Sequence, residues 1–118
     1  MKERSENEKQ EDQMIRQGDV LLVRVATVED GRDVAENGRL VLAHGEVTGH
    51  AHTVVMDRPQ TDTGKLIESV HGRRYLCLSG PATLTHQEHG SIALAPGDYR
   101  VIRQMEWTDE NEPRQVAD

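Results

Sequence analysis

Six histidines in 118 residues carry the clearest chemistry in this sequence. His50 and His52 flank Ala51 in a His-x-His pair, directly after the glycine-bracketed turn Gly45 to Gly49. His86 and His89 stand three apart in Thr85-His86-Gln87-Glu88-His89-Gly90. On a strand, side chains at i and i+2 share a face, so His50 and His52 project side by side. Neutral imidazoles are good ligands for Zn²⁺, Ni²⁺, Cu²⁺ and Fe²⁺. Same-face positions are roughly 6–7 Å apart along a strand, a gap two rings close by leaning together. A tight turn aims His86 and His89 at one point in the same way.

The elements that must position these rings read as short strands. Asp19 to Val25 is rich in Val and Leu and opens after Gln17-Gly18. The charged, glycine-containing stretch 26–38 reads as a long loop. Further strands are expected over 39–44, 50–56, 65–70, 74–78, 82–86, 91–94 and 99–105. Gly45 to Gly49, a loop over 57–63, His71-Gly72-Arg73, Ser79-Gly80-Pro81, 87–90 and Ala95-Pro96-Gly97-Asp98 separate them. The expected fold is therefore all-β: a small antiparallel β-barrel or sandwich of about eight short strands. Residues 14–107 form one β domain. Residues 1–13 are a charged N-terminal tail and 108–118 an acidic C-terminal tail, both expected to be disordered.

If each strand runs antiparallel to the one before, the connections alternate between two ends of the domain. Turns 45–49, 71–73 and 87–90 then share one end. All six histidines occupy or flank these turns, His44 and His71 included. The metal ligands expected on this basis are His50, His52, His86 and His89. His44 and Glu88 stand in reserve. Glu46 and Glu88 are the carboxylates available as a further ligand or an acid/base, and Glu106 and Trp107 end a strand pointing the same way. His71, beside Gly72, reads as an exposed turn residue. Asp19 and Asp98 read as turn residues.

Composition narrows the partners. Asp and Glu outnumber Lys and Arg by 21 to 14, for a net charge of -7. An acidic chain without a basic block argues against nucleic acid and against an anionic membrane surface. Phe is absent, so the core must come from Val, Leu, Ile and Ala. No apolar stretch nears the roughly 20 residues that span a bilayer, and a cytoplasmic location is expected. The single cysteine, Cys77, lies in Tyr75-Leu76-Cys77-Leu78; it reads first as a small buried core residue, second as a soft metal ligand.

The pattern Gly45, His50-Ala51-His52, Asp57, Gly64 resembles the first motif of the cupins, and Pro96-Gly97-Asp98 is similar to that family's turns. The resemblance implies a barrel holding a divalent metal, often iron, manganese or nickel, in oxygenase, isomerase or sensing roles. No histidine follows Pro96, where the family's last ligand stands, so a third ligand here must be His86 or His89. The strands around Gly18-Asp19-Val20 and Arg39-Leu40-Val41-Leu42 also resemble the chaperonin-cap barrel, which implies ring assembly.

Two functional expectations follow. The first is a histidine-rich metal-binding β protein with a divalent transition metal (Zn, Ni, Fe or Mn) in a binding, sensing or catalytic role. The second is a metal-free, pH-sensitive interaction or assembly module, working as a homo-oligomer or with a protein partner.

Overall fold

The computed structural model describes residues 14–45, 49–107 and 113–115, with side chains described as far as Gln104. The two expected tails lie largely outside these residues, as do Glu46 and the side chains of Glu106 and Trp107. Every described element is a strand: β1 (Met14–Gln17), β2 (Val20–Arg24), β3 (Gly31–Asp33), β4 (Leu40–His44), β5 (Ala51–Met56), β6 (Gly64–Ser69), β7 (Arg74–Leu78), β8 (Ala82–Thr85), β9 (Ile92–Leu94), β10 (Gly97–Arg103), β11 (Met105–Trp107) and β12 (Pro113–Gln115). The eight expected strands are present, shifted by a residue or two at their ends.

All pairings are antiparallel. Strands β1-β2-β10-β7-β6-β3 form a six-stranded sheet and β4-β5-β8-β9 a four-stranded one, with β11-β12 a separate ribbon. The architecture is an open, sandwich-like pair of sheets, and the closed-barrel alternative is not realised. The last expected strand, 99–105, is divided between β10 and β11, and three further strands escape the sequence pattern. β1 is a short edge strand beside β2, β3 is three exposed residues inside the expected loop 26–38, and β12 falls within the expected acidic tail. Such short strands carry too few alternating residues to register as a period.

The two sheets are held by one aliphatic core. Val20, Leu22, Leu66, Leu76, Leu78 and Tyr99 face it from the larger sheet. Leu40, Leu42, Val54, Ala82, Leu84 and Leu94 face it from the smaller. Alternation explains the selection, because positions two apart, such as Val20 and Leu22 on β2, point the same way along a strand. Tyr99 is the one aromatic in this core, and its hydroxyl donates to the Ala95 carbonyl at 2.6 Å. Cys77 sits between Leu76 and Leu78, so it points to the outer face. It is half-buried there rather than part of the core, and burial, then Asp98, pushes its thiol pKa up.

The larger sheet's inner face changes character toward one end. The row Leu66-Leu76-Tyr99 is apolar, but the next pairs Val101 with Arg74 and Arg74 with Glu68. Arg103 lies two residues further along β10, opposite Val20. This is the end at which the histidines gather.

Candidate functional site

His52 reaches the interior because it lies two residues before core Val54 on β5, and His50 two residues earlier shares that side. His86, one residue past the end of β8, follows core Leu84 by two and points inward as well. The register between β5 and β8 pairs Thr53 with Thr85 and Val54 with Leu84. Continued by one step, it sets His52 beside His86, where opposed side chains sit about 5 Å apart. The turn leaving β8 then folds His89 back over both.

The rings meet as this register requires. The His52 and His86 centroids are 4.3 Å apart, His86 and His89 4.6 Å, His50 and His86 5.7 Å, and His52 and His89 5.8 Å, the last pair nearly parallel. All four residues expected as ligands thus form one cluster at the core's edge. His52 is fully buried and His86 nearly so.

Neighbouring side chains hold the cluster in place. Gln17 Nε2 donates to the carbonyls of Leu84 and Gly90, which turns its Oε1 toward His52 Nδ1 at 2.9 Å. Asp19, fully buried, sets Oδ1 3.1 Å from His52 Nε2 and accepts from Arg103 Nε through Oδ2 at 2.8 Å. Each nitrogen of His52 thus faces an oxygen of a neighbouring side chain. Glu88 N–H donates to His86 Nδ1 at 3.0 Å, and the Glu88 carboxylate lies 3.2 Å from His50 Nδ1. The Gln87 side chain accepts from Ala51 N–H at 2.9 Å, pinning the two histidine turns together. His89 Nε2 is buried without a hydrogen-bond partner among the described residues.

Other expectations land elsewhere. His44 does not join the cluster: its ring is largely exposed and its Nε2 lies 3.0 Å from both carboxylate oxygens of Glu36. Strand β4 carries a bulge between Val41 and Ala43, which re-aims its end. His71 is an exposed turn residue, as expected. Asp57, the acid of the cupin-like pattern, sits at the far end of β5 and accepts from Thr83 Oγ1 at 2.8 Å. Asp19 is no solvated turn residue but the most buried acid at the site. Gln17 and Arg103 had no sequence signal. A buried hydrogen-bonding role shows only once β1, β5 and β10 are brought together.

Among the described residues, no three of His, Cys, Asp and Glu stand as a finished metal-binding group. Two imidazoles sharing one ion at about 2.1 Å in tetrahedral geometry place their centroids roughly 5 Å apart. The observed separations bracket that value, but the ring nitrogens are turned toward Gln17, Asp19 and the Glu88 backbone instead.

A family comparison places residues 16–104 within the domain of unknown function DUF8820. The chain belongs to that family. The DUF8820 region opens beside Gln17 and closes just after Arg103, so it holds all of both sheets but the first two residues of β1, and every residue of the cluster. Comparison with curated proteins and with solved structures found no match. No described helix is long and apolar enough to cross a membrane.

Proposed function

We propose that this DUF8820 chain binds a divalent transition metal at the cluster His50, His52, His86 and His89. One observation carries the reading: four imidazoles from two turns meet at spacings near those of rings sharing an ion. The buried Nε2 of His89, without a hydrogen-bond partner among the described residues, is a lone-pair donor in search of one. Uptake of an ion requires the rings to turn. His52 must exchange its bond to Gln17 or Asp19 for the metal, leaving the other nitrogen held by an oxygen, as metal-bound histidines commonly are. Zn²⁺, Ni²⁺ and Fe²⁺ suit an imidazole-rich set; Mn²⁺ would lean on Glu88. The reading places the protein in the cytoplasm and leaves binding, sensing and catalysis as roles of one centre.

Elemental analysis of untagged purified protein is the first test, with about one metal per chain expected. Thermal melts of wild type, His89→Ala and His71→Ala with each ion are the second. Metal at about 100 times its dissociation constant should add roughly 2.7 kcal/mol. That gain should persist in His71→Ala and vanish in His89→Ala. Equal gains in all three would mean adventitious surface binding and sink the proposal.

The bonds of His52 to Gln17 and Asp19 favour a second reading, in which the same residues form a metal-free polar clasp between the sheets and the protein works as an interaction module. A metal-free sample unmoved by any ion would leave this reading standing.

A further inference from the structure

A cleft of about 370 Å³ opens between β4 and the ends of β7 and β10, walled by Glu36, His44, Arg74, Val101 and Arg103. It adjoins the histidine cluster through Arg103 and Asp19 yet contains none of the four clustered rings. We propose that this cleft binds a small oxyanion, a carboxylate or a phosphate, between the guanidinium groups of Arg74 and Arg103.

The placement of the two arginines is the argument. Arg74 pairs across the strands with Val101, and Arg103 lies two residues beyond Val101, so all three project from the sheet face that elsewhere carries Tyr99 and Leu76. Arg103 pairs with buried Asp19 and Arg74 with Glu68, and both arginines line the cleft. Both groups are fixed from behind. Arg103 gives Nε to Asp19 and an Nη2 hydrogen to the His44 carbonyl. Arg74 gives Nε to Glu68 at 3.1 Å. A guanidinium has five N–H donors, so after these bonds to described residues each keeps terminal N–H groups for the cleft. Anchored guanidinium forks are pre-organised for planar or tetrahedral oxyanions, which they bind by paired charge-assisted bonds.

The opposite wall is compatible with this. Glu36 is engaged with His44 at 3.0 Å through both carboxylate oxygens, which draws its charge away from the guanidiniums.

The test is an amide NMR titration of the full chain after chelator treatment, so that no metal ion contributes. Inorganic phosphate and acetate are added separately, with sodium chloride holding ionic strength. Saturable shifts confined to 41–44, 73–75 and 101–104 are expected, and whichever anion binds tighter identifies the source. Arg74→Gln, which gives up the partly exposed bond to Glu68 along with the guanidinium, should weaken binding about tenfold or more. Arg100→Gln, on the outer face opposite Tyr75, should leave it unchanged. Glu36→Gln removes a carboxylate from the cleft wall and should tighten binding, an effect that a purely structural Arg74 would not produce. Scattered or unsaturable shifts, equal loss in Arg74→Gln and Arg100→Gln, or the same response to chloride alone would overturn the proposal.

Discussion

Asp19 and His52 stand 33 positions apart in the chain and meet as a fully buried pair, Oδ1 to Nε2 at 3.1 Å. Because Asp19 also takes Arg103, this one carboxylate joins the β1–β2 turn, the start of β5 and the end of β10. The pair bridges the two sheets at the point where the apolar core gives way to the histidine cluster. Buried acids are rare unless paired, and here both carboxylate oxygens are paired.

Replacing Asp19 should therefore be costly. Asp19→Ala leaves His52 and Arg103 facing a void, and removing one partner of a buried pair typically costs about 3–5 kcal/mol. Arg103 is partly exposed and regains water, so about 3 kcal/mol is expected by urea unfolding. Asp19→Asn keeps the shape and one acceptor and should lose less. A change below about 0.5 kcal/mol in both variants would show that the pair does not hold the sheets.

Two histidines on either side of the Gly45–Gly49 turn, His44 and His52, should behave oppositely. His52→Ala leaves Gln17 and Asp19 without their buried ring partner and should cost about 3 kcal/mol. His44→Ala removes a largely exposed contact with Glu36, which should change stability by less than about 0.5 kcal/mol. Denaturant midpoints of the two variants check the contrast.

The strands are legible in the sequence because short runs rich in Val and Leu stand between turn signals, as in Leu40 to His44 between Gly38 and Gly45 and Arg74 to Leu78 between Gly72 and Gly80. The histidine cluster is legible through strand-direction parity alone: the turns after β4 and β8 share an end, and their rings touch. What parity cannot show is which strands are neighbours. The pairing of β5 with β8 across two intervening strands sets His52 against His86, and no local pattern encodes it. Asp19 escapes the sequence for the same reason. Gly18-Asp19 has turn chemistry, and Gly18 does take a positive φ of 58°, yet the partners that bury Asp19 lie far along the chain. His44 is set aside by a bulge between Val41 and Ala43, a deviation invisible in composition.

Stability should decline at both extremes of pH, for reasons that can be separated. Burial, then Asp98, raises the Cys77 pKa, and burial raises that of Tyr99. The folded state then holds these protons more tightly than the unfolded chain. Their contribution is complete below the unfolded values and is lost as pH rises through the folded ones. Cys77→Ser should flatten the alkaline loss that begins near about pH 9. On the acid side, Ser69 and Arg73 lower Glu29, and Arg74 lowers Glu68. That stabilisation is present above the unfolded value and fades as pH falls through the folded one. Glu68→Gln should shrink the acid-side slope, and an unchanged slope would remove Glu68 from the account.

Gln17 offers the sharpest test of how the cluster is held. Its Nε2 donates to Leu84 and Gly90 carbonyls at 3.2 and 2.9 Å, and its Oε1 faces His52 Nδ1. One side chain from edge strand β1 thus braces the end of β8, the turn that carries His86 and His89, and the ring of His52. Gln17→Leu keeps the volume but leaves two carbonyls and one ring nitrogen without their partner. Each buried group left unmet costs about 1–3 kcal/mol where water cannot reach it. The turn lies near the surface and the Gly90 carbonyl regains water, so a total of about 2–3 kcal/mol is expected. Gln17→Glu restores an acceptor toward His52 but offers no donor to either carbonyl. The two variants should therefore share faster amide exchange over 86–91 and differ at His52, whose ring resonances should stay close to wild type only in Gln17→Glu. If exchange over 86–91 were unchanged in both, Gln17 would not be the brace of this turn, and the histidine positions would rest on Gln87 and Glu88 alone.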